Sequence, residues 1–195
     1  MPRTDASPKT YPRSEALVYS PVARGLHWSV AVLVLVTAPI GLIMRDRGAR
    51  DIWDATTNNL YSMHKLIGLT ILALMIARLF YRVSHGAPPP EPTLTPVEKG
   101  VSTVVHWAIY VMLFAVPIGG YLGISYYPAL DIFGVKVPGL VTPNEETAKA
   151  VFKLHGYGAI ALLGLIALHI AAALMHGFVK KDGVLGRMIP GMKRS

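Results

Sequence analysis

Four apolar stretches alternate with polar segments along the chain. Three of them contain no charged residue, namely residues 26–44, 101–130 and 154–179. About 20 apolar residues in a helix are enough to cross the hydrocarbon core of a bilayer, so each of the three predicts a transmembrane span. The fourth stretch, 60–81, is weaker because its uninterrupted apolar core is short. It predicts a span if Arg78 extends its charge toward the headgroups.

This pattern predicts an all-α integral membrane protein, a four-helix bundle. The proline-dense segment APPPEPTLTP is incompatible with regular helix and separates the first two spans from the last two. We expect a disordered N-terminal tail at 1–18, a four-helix transmembrane domain at 19–180 and a basic C-terminal tail at 181–195. No internal repeat is evident in the sequence.

Positive charge is distributed unevenly between the two sides of the predicted bundle. Four spans place both termini on one side of the membrane. Twelve of the 19 lysine and arginine residues fall in the two tails and the central loop, and seven fall on the other side. Because cytoplasmic segments carry the excess of such residues, both termini are predicted to be cytoplasmic. The net charge of +8 then reflects topology and does not indicate nucleic-acid binding.

The chain contains no cysteine. This excludes disulfides, iron–sulfur clusters ligated by thiolates and the covalent attachment of a c-type haem. Any haem in this protein is therefore held by axial ligands and packing alone.

The spans contain histidines whose spacing is informative, because an imidazole in hydrocarbon needs a partner. His155 and His169 are 14 residues apart, which places them within roughly 40° of one helix face and about 21 Å apart along the axis. The direction of each span predicts that His64 lies at the depth of His155, near the outer surface. By the same reasoning, His27 lies at the depth of His169, towards the cytoplasm.

Two pairs of imidazoles at two depths, with no carboxylate or thiolate nearby, are what two six-coordinate b-type haems require. A zinc ion would usually take further protein ligands. Gly68 and Gly164 lie near the predicted ligands and would let a flat macrocycle approach the backbone, although ordinary helix packing also explains such glycines.

Three histidines remain outside this pairing. His176 lies seven residues beyond His169 and is an alternative partner for His27, but His169 is favoured because it is deeper in the apolar stretch. His106, in the third span, is interpreted as a hydrogen-bonding or quinone-contact residue. His85, beside the linker, is expected to be solvated.

Four motifs resemble one known family: RGLHW, MHKLIGL, VHWAIYVMLFAVPIGG and LHGYGAIALLGLIALHIAAALMHGFVKKDGVLGRMIP. They resemble the bacterial cytochrome b561 family of four-helix di-haem membrane proteins, and within it the superoxide oxidase type. The resemblance runs over residues 19–194. It implies two non-covalent haem b groups in a protein of the bacterial inner membrane, with axial ligands at His27, His64, His155 and His169.

The resemblance also implies a reaction, the oxidation of superoxide at the outer haem and the reduction of ubiquinone. Basic residues would steer the superoxide anion to such a site, and Lys65 and Lys153 are suitably placed, although both also suit an interfacial anchor or a partner of a haem propionate. Arg24, Trp28, Arg78 and His106 fall towards the cytoplasmic level, where they are candidates to line a quinone site.

Two other functions stay open at this point. The chain is also compatible with a cytochrome b subunit that passes electrons from a hydrogenase or another dehydrogenase partner to quinone. A metal-ion transporter that uses the histidines as a path is a more remote hypothesis, because no Asp or Glu lies inside any predicted span.

Overall fold

The computed structural model describes residues 18–189. Within this range four helices are long and apolar enough to cross a membrane. They are α1 (Pro21–Ala49), α2 (Ala55–His85), α3 (Pro96–Tyr126) and α4 (Glu145–Leu174). The predicted all-α membrane bundle is confirmed, and the weak second span is a helix of 31 residues.

Short irregular elements complete the described chain. Helix α4 continues as a π-helix, Met175–Lys180, and a 3₁₀ turn follows at Leu185–Arg187. Between α3 and α4, the strands β1 (Asp131–Ile132) and β2 (Val135–Lys136) form an antiparallel hairpin.

Each long helix begins at a polar residue whose side chain accepts a hydrogen bond from the first turn. These residues are Ser20, Asp54, Thr95 and Asn144. A capping side chain satisfies an N–H group that has no partner inside the helix, which fixes where the helix starts. At α3 the cap is a full capping box, because Glu98 also accepts from the backbone of Thr95.

The cap of α2 predicts a loss of stability in acid. Asp54 accepts hydrogen bonds from the Thr57 backbone at 2.8 Å and from the Arg47 guanidinium at 2.6 Å, and these lower the pKa of its carboxyl group. A depressed pKa means that the stabilisation is complete above the ordinary value of about 4 and is lost as the pH falls through the folded value. We expect the thermal midpoint of the detergent-solubilised protein to fall as the pH drops below about 4.

The matched control is Asp54→Asn, which keeps a capping oxygen but cannot titrate. Its thermal midpoint should fall less steeply with acid than that of the parent. Parallel curves for the two proteins would show that Asp54 is not a source of the acid sensitivity.

The helices pack mainly as two hairpins. Helix α1 packs along α2, α3 packs along α4, and α2 joins the hairpins by packing against α3. A buried apolar cluster lies at the middle of the bundle: Val30, Val34, Ile71, Met75, Tyr110, Leu113 and Leu162. Many other large apolar side chains are exposed, as on Leu35, Ile76 and Leu168, which is expected where hydrocarbon is the solvent.

The two ends of the described chain and the central linker meet at one end of the bundle, the terminal end. The backbone N–H of Tyr19 donates to the carbonyl of Arg187, whose guanidinium donates to the carbonyl of Pro89 at 2.6 Å. The indole of Trp28 donates to the carbonyl of Met188 at 3.0 Å. The first residues of the expected C-terminal tail therefore pack against the bundle, while residues 1–17 and 190–195 lie outside the described range.

Candidate functional site

Four histidines on three helices form two pairs of facing rings. In the distal pair, far from the termini, the ring centroids of His64 and His155 are 6.0 Å apart, with the planes at 85°. In the proximal pair, near the terminal end, the centroids of His27 and His169 are 6.3 Å apart, with the planes at 72°. The structure thus brings together the rings that the depth argument paired. Helix α4 contributes one ring to each pair.

The spacing of each pair fits an iron held between two imidazoles. A metal–imidazole bond is about 2.0 Å and the ligating nitrogen lies about 1.1 Å from its ring centroid, so two rings on opposite sides of one ion have centroids about 6.2 Å apart. Both separations agree with this value. Each pair thus offers two facing imidazoles, which is the axial set of a six-coordinate b-type haem.

The Nδ1 atoms of the distal rings face backbone carbonyl groups. His155 Nδ1 lies 2.8 Å from the carbonyl oxygen of Val116, and His64 Nδ1 lies 3.3 Å from that of Thr37 and 3.2 Å from its hydroxyl. A carbonyl oxygen only accepts, so each Nδ1 carries the proton and each Nε2 keeps its lone pair. Hydrogen bonds of this kind orient an imidazole and raise its basicity toward a metal.

Gly41 and Gly120, which were not assigned to the histidine sites from the sequence, make room for the distal rings. A Cβ added at Gly41 would lie 2.9 Å from Cε1 of His64, and one added at Gly120 would lie 3.0 Å from Cε1 of His155. Each glycine lies one helical turn after the residue whose carbonyl accepts from that ring. Because the Cα–Cβ bond points back towards the helix N-terminus, a side chain there would cover this carbonyl.

The predicted packing glycines, Gly68 and Gly164, have a different environment. A Cβ at either position would meet no other atom within 4 Å, so neither glycine is required for contact with a neighbouring helix. Contact with a macrocycle therefore stays a prediction for both.

The two hairpins repeat one arrangement, which differs from the expectation that the sequence holds no repeat. The interval that separates His155 from His169 recurs in α1 and α3, where it leads from a histidine to the glycine that faces a distal ring. In α1 it joins His27 to Gly41, and in α3 it joins His106 to Gly120.

The same interval relates α2 to α4. In α2 the interval leads from His64 to Arg78, and in α4 it leads from His155 to His169. Helix pairs related in this way place four polar groups at the proximal level, namely His27, Arg78, His106 and His169.

Arg78 departs from the snorkelling expected of it. Its Nη1 lies 2.9 Å from Nδ1 of His27, and its Nε donates to the hydroxyl of Tyr110 at 2.9 Å. The guanidinium is therefore directed at the proximal pair and not at the headgroups. The reason is that two polar partners inside the bundle satisfy it, which removes the need to reach water.

The other histidines have separate partners. His106 places its ring centroid 5.0 Å from that of His169, and its Nδ1 donates to the carbonyl of Ser102 at 2.6 Å. His176 is buried and its Nδ1 lies 2.6 Å from a carboxylate oxygen of Asp182. His27 thus faces His169. The alternative ligand, His176, is instead bonded to Asp182 in the segment that follows the π-helix. His85 stacks on Tyr81 at 4.1 Å.

The two predicted steering lysines lie beside the distal pair in the sequence and have different surroundings. The ammonium of Lys65 donates to the carbonyl oxygens of Ala129, at 3.0 Å, and Asp131, which ties the loop after α3 to α2. Lys153 is exposed, with its ammonium 5.9 Å from the ring centroid of Tyr157. Neither lysine forms an ion pair in the described part of the chain.

Residues 18–189 contain no group of three or more His, Cys, Asp or Glu side chains placed to hold a metal ion.

Comparison with known proteins gives relatives along nearly the whole chain. The probable superoxide oxidase CybB of Yersinia pestis is 32% identical over 176 residues, which are 88% of this chain and 96% of the relative. Cytochrome b561 homolog 2 of Escherichia coli K12 is 30% identical over 88% of this chain and 90% of the relative. Cytochrome b562 of Cereibacter sphaeroides is 28% identical over 84% of this chain and 90% of the relative.

A family model agrees with these relatives and with the geometry of the bundle. The model described as prokaryotic cytochrome b561 matches residues 18–191. The chain therefore belongs to the prokaryotic cytochrome b561 family, whose members are b-type electron-transfer proteins of the membrane.

Proposed function

We propose that this protein is a superoxide:ubiquinone oxidoreductase with two haem b groups, one at each imidazole pair. In the overall reaction two superoxide anions each lose one electron and leave as two dioxygen molecules, while one ubiquinone takes up two electrons and two protons and becomes ubiquinol. The observation that carries the proposal is the presence of two imidazole pairs, each at the spacing of a six-coordinate iron, at two levels along one helix.

The residues of the chain hold the haems and fix their positions. His64 and His155 present Nε2 lone pairs at the distal level, because their Nδ1 protons are committed to carbonyl groups. His27 and His169 form the proximal site. A haem bound at each pair supplies reversible one-electron transfer. The low-dielectric helices around the sites exclude water and charged species from the path between them.

The orientation of the bundle follows from its charges. The positive-inside rule assigns the terminal end to the cytoplasm of a bacterium, so the distal pair lies at the outer surface of the inner membrane. Superoxide is an anion and crosses hydrocarbon poorly, so a site at this surface acts on superoxide formed outside the cytoplasm.

Lys65 and Lys153 provide a local positive field at the distal end. The hydrogen-bond partners of Lys65 are neutral carbonyl groups, and the nearby Asp131 carboxylate acts on its charge without forming an ion pair. Lys153 is exposed and free of carboxylate partners among residues 18–189. A positive potential raises the encounter rate with an anion and weakens as salt screens it.

The steering role predicts a salt-dependent loss of rate. In Lys153→Glu, the second-order rate constant for superoxide should fall about threefold at low ionic strength and recover toward the parent value above roughly 0.5 M salt. Stopped-flow reduction of the haems by superoxide measures this. The matched control is Lys99→Glu, the same charge change at the terminal end of α3. Equal effects from both variants, or no salt dependence, would show that Lys153 is an interfacial residue that does not steer superoxide.

Lys65 needs a gentler substitution because it also anchors a loop. Lys65→Gln keeps a side-chain donor for the two carbonyl groups and removes only the charge. A rate decrease in this variant with unchanged haem content would support steering, since the loop contacts are largely preserved.

The quinone site is proposed at the proximal level. Arg78, Tyr110, Arg82 and Tyr81 supply N–H and O–H donors around a small cleft that also includes Leu26 and Met188. Such donors suit the carbonyl oxygens of a quinone. His106 lies exposed on α3 beside His169, with Nδ1 bonded to Ser102 and Nε2 left for a ligand. Arg24 and Trp28, on the first turns of α1, border the same level.

The function is tested on the purified protein alone. Superoxide generated enzymatically, with ubiquinone present, should yield ubiquinol faster than uncatalysed dismutation consumes the superoxide, and with one ubiquinol for two superoxide anions. Protein depleted of haem is the control. If quinol forms only when a membrane dehydrogenase is added, the chain is instead a cytochrome b subunit for that partner.

A further inference from the structure

The two imidazole pairs differ in the groups that face their Nδ1 atoms. At the distal pair, both rings meet neutral acceptors, the carbonyl oxygens of Thr37 and Val116. At the proximal pair, Nδ1 of His27 meets the guanidinium of Arg78 at 2.9 Å. The negative ends of dipoles thus face one pair, whereas a cation faces the other.

The guanidinium is held in place by contacts inside the bundle. Its Nε donates to the hydroxyl of Tyr110 at 2.9 Å, and its central carbon lies 5.4 Å from the Tyr110 ring centroid. Tyr110 belongs to the buried core and packs against α2 from the opposite hairpin. An arginine does not lose its proton in proteins, so Arg78 is a fixed positive charge beside the proximal ring.

Arg78 has no ion-pair partner among residues 18–189, where the described ion pairs join other side chains. Two carboxylates near the terminal end are engaged elsewhere, since Asp182 binds His176 and Glu98 binds Lys180. At the distal end, Lys65 and Lys153 are also positive, but among residues 18–189 neither forms a hydrogen bond with a distal ring. Lys65 binds two loop carbonyl groups, and the ammonium of Lys153 lies over the ring of Tyr157.

We propose that Arg78 sets the proximal haem at a higher reduction potential than the distal haem. The inference rests on the proposed function, because it requires a haem at each pair. Oxidised iron carries one more positive charge than reduced iron, so a nearby fixed cation favours the reduced form. Imidazoles that donate to carbonyl groups are stronger electron donors and favour the oxidised form, which lowers the potential at the distal pair.

This difference gives the electron path a direction. The difference in potential favours transfer of an electron from the distal haem to the proximal haem. The distal haem is then reoxidised and the proximal haem is reduced. No proton or atom moves between them. The same role accounts for one difference between the two hairpins. The position of His169 in the second hairpin corresponds to that of Arg78 in the first, so a positive charge stands there in place of an imidazole.

The test is a spectroelectrochemical titration of the purified protein with its haems bound. In Arg78→Gln, the proximal component should shift to lower potential by about 59 mV or more, which corresponds to a tenfold change in its one-electron reduction equilibrium. The distal component should not move. Arg78→Lys keeps the charge and should retain most of the parent potential.

Arg82→Gln is the matched control. Arg82 is one turn further along α2, with its guanidinium carbon 5.7 Å from the ring centroids of Trp107 and Tyr110. The guanidinium that lies 2.9 Å from Nδ1 of His27 is that of Arg78. The control removes an arginine from the same helix and cleft. A shift in Arg82→Gln equal to that in Arg78→Gln would overturn the assignment to Arg78.

Haem content separates this inference from the proposed function. Two haems per chain in Arg78→Gln, with both potentials unchanged, would overturn the inference and leave the function standing. Fewer than two haems in the parent protein would instead contradict the proposed function. If Arg78→Gln does not retain haem, Tyr110→Phe removes only the hydroxyl that orients the guanidinium. A shift of the proximal component in that variant supports the role of Arg78, and an unchanged potential overturns it.

Discussion

Alanine at His64 or at His155 is expected to remove the same haem, and alanine at His27 or at His169 the other one. A haem held by two axial bonds and packing loses half of its iron–protein bonds when one imidazole is deleted, and no covalent thioether retains it. Each single variant should therefore contain about one haem per chain. Pyridine haemochromogen analysis measures the stoichiometry, and low-temperature α-band spectra identify which component is missing.

The pairing is tested by comparing the variants with each other. His64→Ala and His155→Ala should have superimposable spectra that differ from those of His27→Ala and His169→Ala. His176→Ala is the matched control, since His176 lies beyond His169 on the continuation of the same helix and is bound to Asp182. Loss of one component from both His64→Ala and His27→Ala would contradict the two-level arrangement.

Valine at Gly41 or Gly120 should abolish haem binding at the distal pair without touching a ligand. Its Cβ would enter the space of the His64 or His155 ring, within about 3 Å of Cε1. The ring would have to move away from its carbonyl acceptor, and even a small displacement misaligns Nε2 with the iron. We expect haem content to fall from two to about one per chain.

Gly119 provides a control one residue away from Gly120. A Cβ at Gly119 meets no other atom within 4 Å, and the two variants carry the same change in helix propensity. Gly119→Val should retain both haems. Retention of both haems in Gly120→Val as well would show that the distal ring can shift without losing its ligand function, and the proposed role of the glycine would be wrong.

The bundle and the pairing of its histidines were accessible from the sequence for a physical reason. Hydrocarbon demands long uninterrupted apolar helices, which leaves a strong signal, and the constant rise of a helix converts residue numbers into depth. Knowing the direction of each helix was therefore enough to match His64 with His155 and His27 with His169. The same argument did not choose decisively between His169 and His176, which are on nearly the same face.

The surroundings of the rings were not accessible in this way, because they depend on how neighbouring helices are rotated. Arg78 was expected to extend outward, and it turns inward because Tyr110 and His27 offer it partners. The partner of His176, Asp182, lies in irregular chain beyond the helix, where periodicity carries no information.

The contact of Gly41 and Gly120 with the distal rings was not predicted, although a usable signal was present. Gly41 follows His27, and Gly120 follows His106, at the same interval that separates the two paired histidines of α4. A search for equal spacings in different helices would have singled out both positions.

Because the four rings are distributed over three helices, the stability of the folded protein should depend on the supply of haem. The hairpin of α1 and α2 provides one ring to each pair, and α4, in the other hairpin, provides both remaining rings. An iron bound at either pair would therefore crosslink the two halves of the protein. Any ligand that binds the folded state alone stabilises it by mass action, so a bacterium starved of haem would hold this chain in a looser form that membrane proteases degrade first.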